Sequence, residues 1–402
     1  MKVLQINVVC GVGSTGRIAQ GIAEESEKNG ITNYIAYGYG KSNIKNSIKI
    51  GTKFEYYVHN ILSRLFCMQG RFSYFATKRF LKKVEKINPD IIHLHNIHGN
   101  YINYKLLFEY LNKNEKPVIW TFHDCWPFTG KCVYFDYKKC YKWEKQCCNC
   151  PQLKDYPKAL IDNSKNEYLE KKKTFTSIDC TIVTPSEWLA KLVKQSFFKN
   201  KEILVINNGI DLKSFKPSNS LDFRKKYNLE DSYVILGVAS EWEVRKGLDT
   251  FIDLNKLIDK KKYKIVLVGL TPEQINELPN DIIKINKTNN VKELAQIYSE
   301  ADVFVNPTKE DNFPTTNLEA LACGTPVITF NTGGSIESID SKCGLIVQSN
   351  TTSELLEKIY EIQKLNIDKN KCIEKSKNYD KIKRFKKYVE IYKSIYKRRG
   401  NS

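Results

Sequence analysis

The chain has 402 residues, 41% of them hydrophobic and 27% charged, and 64 Lys and Arg against 45 Asp and Glu leave a net charge of +19. That length exceeds what one hydrophobic core usually serves, so two domains are expected, and the balance of apolar and charged residues excludes a disordered chain. No run approaches the roughly 20 apolar residues of a membrane-spanning helix.

The first residues, MKVLQINVVCGVGSTG, carry one Lys, a short strand-like run and a glycine loop, with no small-residue cleavage site. They do not read as a secretory signal, so the protein is expected in the cytoplasm, touching at most the inner face of the plasma membrane. The positive charge suits anionic lipid, phosphorylated substrates or nucleic acid. An excess of Lys, Asn and Ile together accounts for it equally well as composition bias. No RNA-binding signature, zinc-finger spacing or basic-zipper pattern is present, and nucleic acid is not an expected partner.

Along the chain, short apolar runs rich in Val and Ile alternate with helical patterns. Val3–Val9, Tyr34–Tyr39, Ile91–His95, Val118–His123, Cys180–Thr184 and Ile203–Asn207 form a first set. Tyr233–Ala239, Lys264–Val268, Ile282–Ile285, Val303–Asn306, Val327–Phe330 and Leu345–Val347 form a second. Continuous apolar strands have both faces buried, as in parallel sheets. Helices are expected at Gly16–Asn29, Phe75–Ile87 and Ser186–Phe197. The fold class is therefore α/β, with two Rossmann-like, doubly wound parallel-sheet domains facing a central cleft. The joint is expected near Asp211–Ser220, giving domains over 1–212 and 213–376. Residues 377–402 read as a basic amphipathic helix, with Ile382, Phe385, Tyr388, Val389, Tyr392, Ile395 and Tyr396 spaced by three and four, packing back on the first domain.

The first strand runs into Gly11, Gly13, Ser14 and Gly16, a turn in which backbone can approach a ligand; a lone glycine loop is weak evidence. HLHNIHGNYIN and WTFHDCWPFTG each follow a strand directly. Between Cys125 and Cys150 six cysteines cluster. Cys147-x-x-Cys150 has ligand-pair spacing, and Cys132 with Cys140 completes a tetrad that a structural zinc could use. Free or buried thiols and disulfides are the other readings.

The strongest segment is EDNFPTTNLEALACGTPVITFNTGG, Glu310–Gly334. It follows a strand, so it lies at the carboxyl end of a parallel sheet, where ligands bind. A helix is expected to start at Asn317 or just before it, and Gly324 to end it. Backbone N–H groups at a helix start receive phosphate. A carboxylate in its first turn can accept two vicinal hydroxyls, and a loop carboxylate can hold a sugar. GVASEWEVRKGLDTFI, Gly237–Ile252, offers Arg245 and Lys246 after another strand.

These elements resemble family 4 glycosyltransferases of the two-Rossmann (GT-B) architecture. That family carries two acids separated by seven residues before LEA and CGTPV elements. The spacing here runs from Asp311 to Glu319, with Glu310 one position further out, so either Glu310 or Asp311 takes the first acid's role on the donor sugar. Glu319 matches the acid that binds ribose. By the same resemblance Phe313, Pro314, Thr315, Thr316, Asn317 and Leu318 line the donor, Lys246 neutralises its diphosphate, and His123 of the His123–Asp124 pair reaches the sugar. The family's Arg position holds Glu241 here, which leaves Arg245 as the substitute. TPSEWLAKLV, NNGIDLKSFKP and TGGSIESI match further landmarks.

The resemblance implies a retaining transfer of a hexose-type sugar, from a nucleotide-sugar donor (UDP- or GDP-linked) to a growing, lipid-linked oligosaccharide of a capsule, exopolysaccharide or O-antigen. No catalytic cofactor and no protein nucleophile are implied. Phe54–Phe75, where aromatic and aliphatic residues interleave with Arg64 and Arg71, is the expected contact with an anionic membrane. A sugar-nucleotide epimerase on the same fold and an inactive glycan- or nucleotide-binding protein are the alternatives.

Overall fold

The computed structural model describes residues 1–218 and 220–400. It divides into two compact units, Met1–Asn207 with the chain from Ile382 onward, and Asn208–Lys381.

The first unit is built on seven strands: β1 (Lys2–Asn7), β2 (Thr32–Tyr37), β3 (Ser47–Lys49), β4 (Ile91–Leu94), β5 (Val118–Thr121), β6 (Cys180–Thr184) and β7 (Ile203–Val205). They lie in the order β3-β2-β1-β4-β5-β6-β7, and every pair is parallel. All residues of β4, β5 and β6 are buried, which is why these strands read as unbroken apolar runs. The order reverses between β1 and β4, and the loops leaving those two strands flank a crevice of the kind where doubly wound sheets bind ligands.

The second unit has six parallel strands: β8 (Tyr233–Val238), β9 (Tyr263–Val268), β10 (Ile283–Ile285), β11 (Val303–Asn306), β12 (Val327–Phe330) and β13 (Gly344–Val347). Their order is β10-β9-β8-β11-β12-β13, so the reversal falls between β8 and β11. Helices cover both faces of this sheet, with Phe251, Leu254, Leu355 and Ile359 buried on one side and Ala295, Tyr298, Ala320 and Leu321 on the other.

The chain returns to the first unit at its end. The helix Lys381–Gly400 buries Phe385, Tyr388, Val389 and Tyr392 against Ile18 and Ile22 of the helix Gly13–Lys28 and against Val3, Ile91, Ile119 and Val183 of the sheet. Gly21 permits the approach, since a Cβ there would fall 2.1 Å from the Phe385 ring. Tyr392 donates or accepts a 2.6 Å bond with Nδ1 of the buried His93, whose Nε2 meets Thr121 Oγ1 at 2.8 Å.

Two boundaries differ from the sequence expectation. The first unit ends at Asn207 and not at 212, because Ile210 bridges to Asp380 and Lys381 reaches Asp211 Oδ2 at 2.9 Å. Residues 377–379 form a separate short helical turn, and Tyr379 packs on Phe313 within the second unit. The predicted joint and tail include positions 219, 401 and 402, which lie outside the described residues. Strand β3 has no counterpart in the sequence reading. It is a three-residue edge strand, Ser-Ile-Lys, none of whose residues is buried.

Candidate functional site

In the second unit the loops leaving β8 and β11 are tied together. Trp242 is buried and donates through Nε1 to Val268 O at 3.0 Å, which anchors the first loop. A short turn, Val244–Lys246, follows and closes at Gly247 with φ +76°. A Cβ on Gly247 would lie 2.3 Å from Pro307 O, so only glycine lets the loops meet. Lys309 N donates to Arg245 O at 2.7 Å across the junction.

This zipper brings the predicted residues together. Lys246 Nζ sits 2.5 Å from Asp311 Oδ2, and Asn312 N donates to Asp311 Oδ1 at 2.9 Å. Arg245 pairs with Glu243 Oε2 at 2.7 Å and reaches Glu310 O at 3.4 Å. Glu310 itself is buried, while Asp311, Lys246 and Glu319 are partly open. Glu319 Oε2 accepts from Tyr298 OH at 3.0 Å. The sequence reading did not include Tyr298. It lies 21 residues before Glu319, and only the fold pairs them.

The helix Thr315–Ala322 begins directly after Pro314, and no side chain caps it. Its first turn carries no acidic residue, so its positive end is open to an anion. Asn317 is fully buried and fixes that turn: its Oδ1 accepts from Asn306 of β11 at 2.8 Å and its Nδ2 donates to Ser338 Oγ at 2.9 Å. The side chains of Phe313 and Leu318 are also buried, in a small cluster with Ile210 and Tyr379. These three residues can offer a ligand only backbone, whereas Thr315 and Thr316 remain partly exposed. Gly333, with φ +51°, lets the TGG turn fold over Asp311, whose carbonyl accepts from Gly334 N at 3.3 Å.

In the first unit the helix Gly13–Lys28 starts at Gly13, again without a side-chain cap and without an acid in its first turn. Gly11 N donates to Gly16 O at 3.2 Å and closes the loop. Gly13, Ser14 and Gly16 therefore sit at an uncapped helix start at the end of β1.

His123 follows β5. Its Nε2 lies 3.0 Å from His95 Nδ1, and His95 Nε2 lies 2.8 Å from Gln5 Oε1. Burial drives the His123 pKa down to about 4, against the opposing pull of Asp124. The ring is thus neutral at pH 7 and can share a hydrogen bond but carries no charge. Asp124 turns elsewhere. Its Oδ2 meets His98 Nε2 at 2.9 Å, and its Oδ1 accepts from Trp126 N at 2.9 Å. Burial opposes ionisation of Asp124, but the His98 charge and bond outweigh it and hold the pKa below the usual value. The two sequence neighbours His123 and Asp124 thus work with different partners, on loops from β4 and β5.

The cysteine-rich insert is held by aromatic packing. Trp143 is buried against Phe128 and Phe135, with ring centroids 5.0 Å away in each case. Burial raises the thiol pKa of Cys132, and that of Cys147 to about 11. Cys147 Sγ accepts from Gly130 N at 3.1 Å. Among the described residues no group of three or more His, Cys, Asp or Glu side chains is placed to hold a metal ion; Cys132, Cys140, Cys147 and Cys150 are free thiols.

Comparison with known proteins agrees with this geometry. Residues 17–214 match the model described as Glycosyltransferase Family 4, and residues 232–364 match Glycosyl transferases group 1. The glycosyl transferase WcaC of Escherichia coli (strain K12), named for colanic acid biosynthesis, is 24% identical over 375 residues, covering 89% of this chain and 90% of its own. An N,N'-diacetylbacillosaminyl-diphospho-undecaprenol alpha-1,3-N-acetylgalactosaminyltransferase of Campylobacter jejuni is 26% identical over 224 residues, covering 52% of this chain and 58% of its own. The crystal structure of Anabaena HepE in complex with UDP-glucose superposes with a TM-score of 0.68 at 13% identity, covering 98% of this chain and 100% of that one. That likeness is one of fold, the GT-B arrangement of two parallel-sheet domains. Two family models in tandem over most of the sequence, with a relative aligned along nine-tenths of its length, place the chain in family 4 of the glycosyltransferases.

Proposed function

We propose that the protein is a retaining glycosyltransferase that moves a hexose-type sugar from a UDP- or GDP-sugar to a growing, lipid-linked oligosaccharide, in the assembly of a capsule, exopolysaccharide or O-antigen. The observation that carries the reading is the joined pair of loops after β8 and β11. They pair a cation, Lys246, with Asp311, four residues before the uncapped helix Thr315–Ala322 that carries Glu319.

A nucleoside diphosphate gains charge as it leaves, and fixed cations and helix N–H groups stabilise that charge in the transition state. Lys246 and Arg245 supply the cations. Asp311 holds Lys246 in place through one oxygen and is capped by its own next N–H at the other. Either Glu310 or Asp311 takes the donor-sugar hydroxyls in this reading, and Asp311 also positions Lys246. Glu319 takes the ribose hydroxyls, oriented by Tyr298. Neutral His123 offers a hydrogen bond to the sugar near the reacting centre. Retention follows from attack on the face the diphosphate leaves, with its oxygen receiving the acceptor proton, so no protein nucleophile is needed.

The acceptor class is supported by the names of WcaC and the Campylobacter enzyme, the latter acting on an undecaprenol-linked sugar. It is supported too by the helix Lys53–Phe66, which exposes Phe54, Val58, Ile61 and Leu65 beside Lys53 and Arg64 and suits a peripheral contact with an anionic membrane. Among the described residues no helix is long and apolar enough to cross a membrane.

The test is incubation with a panel of nucleotide sugars and a short-chain polyprenyl diphosphate oligosaccharide. Sugar transfer with retained anomeric configuration is expected. Neither nucleotide release nor transfer from any donor, in protein shown to be folded, overturns the reading.

A further inference from the structure

The first strand, KVLQIN, is apolar except for Gln5 in its middle, and Gln5 is fully buried. A polar side chain inside a parallel sheet is costly unless its hydrogen bonds are met. Those of Gln5 lead to the surface. Three strands that lie side by side, β1, β4 and β5, carry a line of side chains: Gln5 in β1, His95 just after β4 and His123 after β5. Gln5 Oε1 lies 2.8 Å from His95 Nε2, and His95 Nδ1 lies 3.0 Å from His123 Nε2. His95 is buried, whereas His123 is partly exposed. The backbone of His95 is pinned on both sides. Its N–H donates to Ile6 O at 2.9 Å, and its carbonyl accepts from Trp120 Nε1 at 3.0 Å.

The protons along this line can be placed one after another. Gln5 Nε2 lies 2.9 Å from Ala19 O and 3.0 Å from Asn33 Oδ1. A backbone carbonyl only accepts, so the atom facing it is the amide nitrogen, and the amide oxygen faces His95. His95 Nε2 therefore carries a proton and donates it to Gln5 Oε1. The opposite arrangement would set two lone pairs against each other at 2.8 Å.

Burial holds His93, His95 and His123 below their ordinary pKa values. Their rings also lie close, with centroids 4.1 Å apart for His93 and His95 and 5.3 Å for His95 and His123, so a charge on one opposes a charge on the next. Each ring is neutral at pH 7 and holds one proton. His95 has its proton on Nε2, so its Nδ1 is an acceptor. His123 must then donate from Nε2, which uses its own single proton. The other nitrogen of His123, Nδ1, keeps its lone pair.

We infer that Gln5 is a positioning residue for the donor sugar: acting through His95, it fixes His123 as the Nε2–H tautomer, so that Nδ1 accepts a hydrogen bond from a hydroxyl of the transferred sugar. This rests on the proposed function and deepens it. The sugar must present a donor to His123, and fluorine in place of that hydroxyl, which only accepts, is disfavoured.

The first test is proton–nitrogen correlation spectroscopy on the full chain with ¹⁵N-labelled histidine rings, in which bare and protonated ring nitrogens resonate far apart. The signals missing from His123→Gln identify His123. The wild type is expected to show His123 protonated on Nε2 and bare on Nδ1. Gln5→Met leaves His95 Nε2 facing no acceptor, so its proton is expected to move to Nδ1 and drive that of His123 to Nδ1. His95→Leu removes the acceptor outright and is expected to shift the His123 proton in the same way, should Gln5→Met not fold. The second test is calorimetry with UDP-glucose and GDP-mannose, each set against its free nucleoside diphosphate. Gln5→Met is expected to weaken the nucleotide sugar several-fold and leave the free diphosphate unchanged. A proton on Nδ1 of wild-type His123 overturns the inference and leaves the glycosyltransferase reading standing. So does a tautomer unchanged in both variants, or an equal loss for nucleotide sugar and free diphosphate, which would mark Gln5 as structural only. If neither nucleotide sugar binds the wild type, the underlying reading fails and the sugar contact with it, while the spectrum still decides the tautomer.

Discussion

Lys246 and Asp311 stand on loops from two neighbouring strands, 65 residues apart in sequence, and their side chains meet at 2.5 Å. Both are partly open, so the pair contributes little to folding, on the order of 1 kcal/mol or less. In the proposed mechanism its value is positional, since it holds a cation for the charge that a leaving diphosphate gains. Lys246→Met is expected to lower kcat for sugar transfer by about 10²–10³-fold with little change in melting temperature. A variant that transfers sugar at the wild-type rate would remove Lys246 from the mechanism.

Glu319 and Tyr298 form the second working pair. Glu319→Gln keeps the shape and removes the charge, and is expected to weaken nucleotide-sugar binding about tenfold. Tyr298→Phe leaves the carboxylate in place with one hydrogen bond fewer, and is expected to weaken binding by a smaller, several-fold amount. Titration of both variants with the best donor checks the order. Equal affinity in all three proteins would show that ribose is bound elsewhere.

Much of this was legible in the sequence because parallel sheets write themselves as buried apolar runs. Twelve of the strands show as apolar runs; β3, Ser-Ile-Lys at a sheet edge, has a single apolar residue and does not. The residues around Glu310–Glu319 were legible because loop, helix start and next strand follow without a break. Pairings across the fold were not. Asp124 adjoins His123 in sequence, yet its carboxylate bonds to His98, 26 residues away, because successive residues in an irregular loop point in different directions. Asn317, expected as a donor contact, has its side chain fully buried between helix, β11 and the Ser335–Ser338 turn, which leaves its backbone to meet a ligand.

The terminal helix gives a prediction for stability. Tyr392 is completely buried and bonds His93. Tyr392→Phe removes the hydroxyl and leaves the His93 nitrogen unmet, at a cost of about 1–3 kcal/mol. Urea denaturation is expected to show an earlier transition for the first unit, with nucleotide-sugar affinity unchanged, because the residues assigned to the donor nucleotide lie in the other unit. An unchanged transition would show that the helix is held by its apolar face alone.

Buried histidines predict a pH dependence. Burial pushes His59 and His93 down to about 3, and His95 well below its ordinary value. In the unfolded chain each titrates near 6.5. Below that pH the unfolded chain takes up protons that the folded chain refuses. Stability is therefore fully present above pH 6.5 and is lost as the pH falls from there toward 3. Each fully buried ring contributes roughly 1–2 kcal/mol of that loss by pH 5. Urea midpoints are expected to fall steadily between pH 7 and 5, and His59→Gln to flatten the slope. A midpoint that holds constant across this range would contradict the neutral, buried assignment.

The most direct measurement is calorimetric titration of UDP-glucose and GDP-mannose into the wild-type chain and into Lys246→Ala, Glu310→Ala and Glu319→Ala, each checked for native folding. The account predicts saturable binding of at least one donor by the wild type and at least a tenfold loss in every variant. Wild-type affinity retained in all three variants would mean that the loops after β8 and β11 do not hold the donor.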